Sequence, residues 1–338
     1  MSTINAYAAS GPNAPFTPFE YDAGPLLPDQ VEVRVASCGI CHSDLSMRNN
    51  EWGLTAYPFI GGHEIVGTIT AVGDHVRKVQ AGQTVGVGWT AESCMSCPQC
   101  LGGDHNLCPT STGTIVQRHG GFATHVRVHW AWAVPLPEGL DASRAGPLLC
   151  GGITVFNPLV QLGILPTHRV GVIGIGGLGH MALKFLRAWG CEVVAFTSTD
   201  SKREEALRLG AHRVVNTRSA DDVARLAGSL NAILSTVNVS LDWNALVGAL
   251  APKGKLHTVG AVLDPIVVAA FPLIMGQRSL SGSPTGSPTV IDSMLDFAAR
   301  HGIAPTTEHF PMSKINDAFA HLESGKARYR IVLENDLN

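Results

Sequence analysis

VGVIGIGGLGHMALKFLRAWG, residues 170–190, is the stretch that decides the fold. Val170–Ile173 reads as a short buried strand and Leu178–Trp189 as a helix. The turn between them is Gly174-Ile175-Gly176-Gly177-Leu178-Gly179. A strand that passes through G-x-G-x-x-G into a helix is the arrangement that holds a dinucleotide. The glycines let the backbone approach a pyrophosphate, and the helix start offers unpaired N–H groups and the positive end of a dipole. The alternative is a tight turn with no ligand.

Outward from this unit the alternation continues. Glu192–Phe196 reads as a strand, Lys202–Leu209 as a helix, and Ala232–Ser235 and Lys255–Val259 as strands. Repeated strand–helix units from Ser143 to Leu280 predict a parallel, doubly wound sheet. Upstream, Val31–Ala36, Glu64–Val72, Thr84–Gly88 and Ala123–Val128 are β-type runs punctuated by Gly and Pro, which predicts an irregular all-β region. Helical texture returns at Thr289–Ala299, and Arg330–Leu333 reads as a strand. A lone edge strand is poorly stabilised, so the tail is expected to rejoin the first region. The expected domains are 1–149, completed by 285–338, and 150–284.

The 338 residues are 45% hydrophobic and 15% charged, enough apolar material for two cores. A formal charge of −3 gives no electrostatic reason to expect nucleic acid or an anionic membrane as partner. The N-terminal MSTINAYAASGP lacks the basic and apolar regions of a secretory signal. The apolar stretch Leu256–Met275 is broken by Asp264, Pro265 and Pro272, and so does not read as a membrane span. The expectation is a cytoplasmic protein acting on a small molecule. In that compartment clustered cysteines suggest metal before disulfide.

Cofactor choice is read at the end of the second strand of the doubly wound sheet. A carboxylate roughly 20 residues after the first glycine binds the ribose 2′-hydroxyl of NAD. This chain has Thr197-Ser198-Thr199 there, followed by Lys202 and Arg203. Hydroxyls and cations suit the 2′-phosphate of NADP, although Asp200 lies close by. Lys202 and Arg203 could also simply begin a solvated helix.

Cys94, Cys97, Cys100 and Cys108 form C-x2-C-x2-C-x7-C. Four thiolates at this spacing can close a tetrahedral shell around Zn²⁺ with no open position, as in structural sites. An iron–sulfur cluster is the main rival. A second set lies in Cys41-His42-Ser43-Asp44, Gly62-His63-Glu64 and Cys150. One histidine and two cysteines could hold a catalytic Zn²⁺ with an open position. Residue by residue, other readings stand: Cys38 and Cys41 form a CxxC, His63 could be a core histidine, and Cys150 a small buried hydrophobe.

The order GICHSD, GGHEIVG, CxxCxxCx7C, GPLLCGG, VGVIGIGGLGH and the closing KARYRIVL resembles the zinc-containing medium-chain dehydrogenases, and within them the cinnamyl-alcohol-dehydrogenase-type group with its bacterial aldehyde reductases. The resemblance spans nearly the whole chain. It implies a GroES-like catalytic domain, a Rossmann-type NADP-binding domain, two zinc ions per chain and a homodimer. Carried onto this sequence, it makes Cys41, His63 and Cys150 the catalytic zinc ligands, with Glu64 a carboxylate able to approach the metal. It makes Asp44 the residue that orients the ligand histidine and Ser43 the first proton acceptor. His42 is placed near the cofactor pyrophosphate, Val259 and Ser283 complete the cofactor residues, and Trp52, Trp89 and Pro284 line the substrate pocket. Either tryptophan could instead be core packing.

The chain departs from the family pattern in three places. Ser46 stands where a histidine often ends the proton relay, the segment after Cys108 is short, and Pro284 replaces a bulkier apolar residue. The implied reaction interconverts primary alcohols and aldehydes, aromatic or medium aliphatic, with zinc as Lewis acid and a nicotinamide as hydride carrier. Rival readings are an NAD-dependent polyol or secondary-alcohol dehydrogenase and a non-catalytic zinc- and NADPH-binding redox sensor.

Overall fold

The computed structural model describes residues 3–337. The chain divides into two compact units, Met1–Ile153 with Thr285–Asn338, and Thr154–Pro284.

In the second unit the strand Arg169–Ile173 pairs in parallel with Glu192–Thr197 on one side and Leu230–Ser235 on the other. Arg213–Asn216 extends the sheet beyond the first neighbour, and Leu250–Thr258 and Ser279–Gly282 extend it beyond the second, all in parallel. The order of strands therefore reverses beside Arg169–Ile173, the switch point at which such sheets open a ligand crevice. The Gly174 turn stands there. Gly174 has φ +87°, a left-handed conformation that favours glycine. The helix that follows, Gly179–Trp189, buries Met181, Ala182, Leu183, Phe185 and Leu186. It ends at Gly190, whose left-handed backbone lets its N–H cap the last turn. Val194, Phe196, Ile233, Trp243 and Leu256 belong to the unit's core.

Local details differ from the sequence reading. The helix expected at Lys202–Leu209 is a 3-10 turn, Asp200–Lys202, followed by Arg203–Arg208. The strand expected at Lys255–Val259 runs Leu250–Thr258. Arg213–Asn216 and Ser279–Gly282 were not predicted. Both are edge strands of four residues with few apolar side chains, so periodicity gives them little signal.

In the first unit the long strand Gln30–Ile40 organises a seven-stranded sheet. Its antiparallel neighbours are Glu64–Val72, His125–His129 and Arg330–Glu334. Val31, Val33, Ile65, Ile69, Val85, Ile331 and Leu333 fill the core. Phe319, on the helix Ile315–Glu323, packs 4.9 Å from Phe16 and 5.9 Å from Phe122, tying that helix to the N-terminal hairpin Thr3–Ala9/Phe16–Asp22. Register matters for the site. Ile331 pairs with Ile40 and Glu64 with Gly39, so the end of one strand and the starts of two others converge. Cys41, His63, Glu64 and Arg330 all stand at that convergence.

The glycines of the 174–179 turn make a testable contrast. An ideal Cβ on Gly179 would lie 1.7 Å from the Gly174 carbonyl oxygen, which belongs to the backbone and cannot swing away. At Gly176 it would meet nothing within 4 Å. Gly179→Ala is expected to destabilise this unit by roughly 1–3 kcal/mol, the usual penalty of overpacking. Gly176→Ala should leave the thermal midpoint unchanged. Thermal unfolding of the two variants checks the pair.

Candidate active site and structural metal centre

The first site begins with Asp44. Its side chain is completely buried. Oδ2 accepts from the Cys41 backbone N–H at 2.9 Å, and Oδ1 accepts from the Gly62 N–H at 2.8 Å. Cys41 caps the helix His42–Arg48, with its sulfur accepting from the Ser43 N–H at 3.5 Å. Oδ1 of Asp44 also lies 3.1 Å from His63 Nδ1. A carboxylate there makes Nδ1 the protonated nitrogen and leaves the Nε2 lone pair free. Nε2 points to Cys150 Sγ, 3.3 Å away.

Cys150 joins the 3-10 helix Gly146–Leu149 to the helix Gly151–Gln161. Gly146 lets that segment press onto the neighbouring strand, for a Cβ there would come within 2.5 Å of the Glu64 carbonyl oxygen. Cys41 Sγ and Cys150 Sγ lie 4.0 Å apart. The Glu64 side chain occupies space that Gly39 leaves open, since a Cβ on Gly39 would sit 2.1 Å from Glu64 Oε2. One donor atom from each of Cys41, His63, Glu64 and Cys150 lies within 4.8 Å of the others, and all four residues are buried.

Sequence reasoning missed Arg330. It is 5% exposed, and its Nη2 donates to Glu64 Oε1. Glu64 Oε2 is buried with no hydrogen-bond partner. Burial raises the Glu64 carboxyl to about 7, against the pull of Arg330. The Cys41 thiol is held well below its usual range, first by the hydrogen bond from Cys150 and against burial, with Arg330 and His63 adding to the pull. No periodicity could have flagged Arg330, because nothing local separates an inward-facing strand arginine from a surface one.

These donors fit one zinc ion. Bonds of about 2.3 Å to sulfur and 2.0–2.1 Å to nitrogen, at tetrahedral angles, set sulfurs about 3.8 Å apart and a nitrogen about 3.5 Å from a sulfur. The spacings of 4.0 Å and 3.3 Å are close to that shell. The orphaned Oε2 is a further donor.

Of the other expected residues, Ser43 Oγ lies 3.6 Å from Cys41 Sγ, and His42 is exposed. Ser46 donates to Glu51 Oε2 at 2.7 Å. The Trp52 and Trp89 rings meet edge to face at 6.2 Å, and Trp89 stands 5.1 Å from the His63 ring. Both tryptophans are half-buried beside the donor group. Pro284 is exposed at the end of the other unit.

The second metal centre is a loop. Cys94, Cys97, Cys100 and Cys108 also gather within 4.8 Å. Cys94 Sγ accepts from the Cys97 N–H at 3.3 Å, Cys97 Sγ from the Cys100 N–H at 3.5 Å, and Cys108 Sγ from the Cys94 N–H at 3.5 Å. Backbone N–H groups turned onto sulfur favour thiolates. Those of Ser96 and Cys97 lower Cys94 to about 5, while burial pushes Cys100 up to about 12. Sulfur separations of 3.6 and 3.9 Å suit one tetrahedral ion, whereas several irons need a wider ring.

In the second unit, Lys202 Nζ donates to the Ile175 carbonyl at 3.2 Å, which brings an ammonium beside the Gly174–Gly179 turn. Asp200 accepts from Asn216 Nδ2 at 3.4 Å, and Arg203 donates to the Val214 carbonyl at 3.4 Å. Ser198 and Thr199 are exposed, while Thr197 is buried and accepts from the Thr199 N–H. Gly176 lacks a side chain for no internal steric reason, which fits close approach by a ligand from outside.

The two donor groups should fail differently. Cys150→Ala should lose one metal ion and stay folded. Cys100→Ala should lose the other and unfold at lower temperature, because closed zinc sites are coupled to folding. Asp44→Ala should weaken retention of the first ion by about 10- to 100-fold, the usual penalty for removing a residue that orients a ligand histidine. Metal analysis after dialysis against a graded chelator, paired with thermal unfolding, checks all three.

Two family models match the chain: the alcohol dehydrogenase GroES-like domain over residues 27–138 and the zinc-binding dehydrogenase over residues 177–300. Aldehyde reductase AdhA from a Synechocystis strain is 54% identical, covering 99% of this chain and 100% of the relative. The solved cinnamyl alcohol dehydrogenase of Sorghum bicolor superposes with TM-score 0.92 at 38% identity over 98% of each chain. The CAD of Helicobacter pylori, solved with NADP(H), gives TM-score 0.89 at 29% identity over 98% of each chain. Sheet order, donor groups and relatives agree, and the chain belongs to the zinc-dependent medium-chain alcohol dehydrogenases of the cinnamyl-alcohol-dehydrogenase type, enzymes that interconvert alcohols and aldehydes.

Proposed function

We propose that this enzyme interconverts primary alcohols and aldehydes, aromatic or medium aliphatic, with NADP(H). The observation that carries the reading is the buried group of Cys41, His63, Glu64 and Cys150 with the Ser43 hydroxyl beside it. Cys41, His63 and Cys150 hold the catalytic zinc, Glu64 stands in reserve on Arg330, and Cys94, Cys97, Cys100 and Cys108 hold the structural zinc. When bound, the catalytic ion supplies Lewis acidity at the substrate oxygen and the nicotinamide supplies or takes the hydride.

The chain's own residues do the rest. Asp44 keeps His63 in the tautomer whose Nε2 can serve as a ligand. Ser43 accepts the alcohol proton in oxidation while its own hydroxyl proton passes on through a ribose hydroxyl and water, and the same relay runs backward in reduction. Ser46 cannot act as the histidine it replaces, because a hydroxyl does not ionise in the working range, and its bond to Glu51 turns it toward a surface carboxylate. Trp52 and Trp89 form an aromatic wall suited to a flat apolar substrate. The related aldehyde reductase and cinnamyl alcohol dehydrogenase support that substrate class.

Several features support NADP over NAD. The strand Glu192–Thr197 ends in hydroxyls, Lys202 reaches the glycine turn, and the nearby carboxylate of Asp200 is engaged by Asn216. The NADP(H) complex of the Helicobacter pylori relative points the same way. Ser198, Thr199, Lys202 and Arg203 bind the 2′-phosphate, Gly174–Gly179 the pyrophosphate, and Val259 and Ser283 the nicotinamide end.

A homodimer is also proposed. Leu263, Val267, Phe271, Ile274 and Met275 are each 69% exposed or more and precede the edge strand Ser279–Gly282. An open strand edge beside an apolar surface suits a second copy. A cytoplasmic setting suits eight free cysteines. No helix among the described residues is long and apolar enough to cross a membrane.

The test is cofactor consumption over a panel of aromatic and aliphatic aldehydes, with polyols and secondary alcohols as competitors. Charge-assisted bonds of about 1.5–3 kcal/mol from two groups give NADPH a preference over NADH of about a hundredfold or more. Ser198→Asp should reverse it. Ser43→Ala should lose at least about tenfold in kcat, since positioned proton transfer is usually worth 10²–10⁴-fold. Equal use of both cofactors, or faster turnover of polyols than aldehydes, would sink the proposal.

A further inference from the structure

His257 lies outside the machinery described so far and is buried to 2% exposure. It sits in the strand Leu250–Thr258, paired in register with Ser281 of the edge strand Ser279–Gly282. Its Nδ1 lies 2.9 Å from Ser281 Oγ and its Nε2 2.9 Å from Ser283 Oγ. Leu159, Leu186, Leu234 and Pro158 share with it the lining of a small apolar cavity. Burial pushes the ring down to about 4, so it stays neutral in the working range.

A neutral imidazole has one donor and one acceptor nitrogen. In either tautomer it therefore assigns opposite roles to the two serine hydroxyls: one donates to the ring, which fixes its O–H, and the other accepts from it. Ser283 stands just past the strand, at the carboxyl ends where doubly wound sheets bind their ligands. A hydroxyl there that donates to Nε2 has its O–H fixed and turns its lone pairs outward, and one that accepts from Nε2 keeps its own O–H to offer, so the ring sets which function faces a ligand.

We propose that His257 is a positioning residue for the cofactor: through Nε2 it orients the Ser283 hydroxyl toward the nicotinamide end of NADP(H). This rests on the assignment of Ser283 as a cofactor residue made above. The bond from Nδ1 to Ser281 serves the strand, and the bond from Nε2 serves the ligand. That division separates the inference from a purely structural role, in which both bonds would only pin the edge strand.

Two substitutions divide the functions of the ring. Asn places its amide where Nδ1 lies, and Gln reaches to where Nε2 lies. NADPH binding is measured by fluorescence titration with no turnover, together with thermal midpoints. H257Q should bind within about twofold of wild type. H257N and S283A should each bind about three- to tenfold more weakly, the effect of one hydrogen bond. H257N/S283A should bind no more weakly than the worse single variant, since both remove the same bond. Ser283 is only half-buried, so S283A reads the ligand bond with little risk to folding. Equal losses in H257N and H257Q, or wild-type affinity in S283A, would overturn the inference and leave the cofactor reading standing. Failure of the wild type to bind NADPH at all would overturn both.

Discussion

Everything at the candidate active site depends on one buried carboxylate. Asp44 is completely enclosed and yet holds the backbone of Cys41, the backbone of Gly62 and the ring of His63 at once. A charge without water is costly to keep unless each lone pair finds a donor. Those donors belong to the segments carrying two of the candidate metal ligands, Cys41 and His63, so satisfying the carboxylate and aligning these donor atoms are the same event. Asp44 does this from one turn into a helix of seven residues whose own cap is Cys41. The capping box, a local device, thus becomes the frame of a site assembled from distant segments.

Around that frame the site has a second buried charge pair. Glu64 and Arg330 are 266 residues apart in sequence and meet because the last strand of the chain lies beside Gln30–Ile40. A lone arginine buried beside thiolates would be drawn toward sulfur, and a lone glutamate would compete with the ligands. Held by each other, they leave Cys41, His63 and Cys150 with a carboxylate close by but restrained. The arrangement is costly in desolvation, so the pair is no evidence of added stability, whereas removing either partner would leave the other charge buried and unpaired.

The two units solve different problems with glycine. In the first unit, Gly39 of the sheet and Gly146 of the neighbouring 3-10 helix make room for the side chain and backbone of Glu64. In the second unit, Gly179 permits the helix to start against the Gly174 carbonyl, whereas Gly176 faces open space. Tight packing requires the first three, and only an external group gives the last a purpose.

The sequence by itself determined the parts whose physics is local. Residues 170–190 declare a strand, a turn and a helix because periodicity and glycine placement act over a few residues. The four cysteines from Cys94 to Cys108 declare a metal loop because their spacing fits a single shell. The candidate ligands Cys41, His63 and Cys150 were visible as residue types, but residue by residue Cys38, a core histidine and a buried thiol remained open readings. Only the tertiary structure gathered Cys41, His63, Glu64 and Cys150 within 4.8 Å, placed Arg330 behind Glu64 and set His257 between two serines. The reason is register. Which residues share the end of a sheet is decided by strand pairings across tens or hundreds of positions, and a one-residue slip would send each side chain to the opposite face.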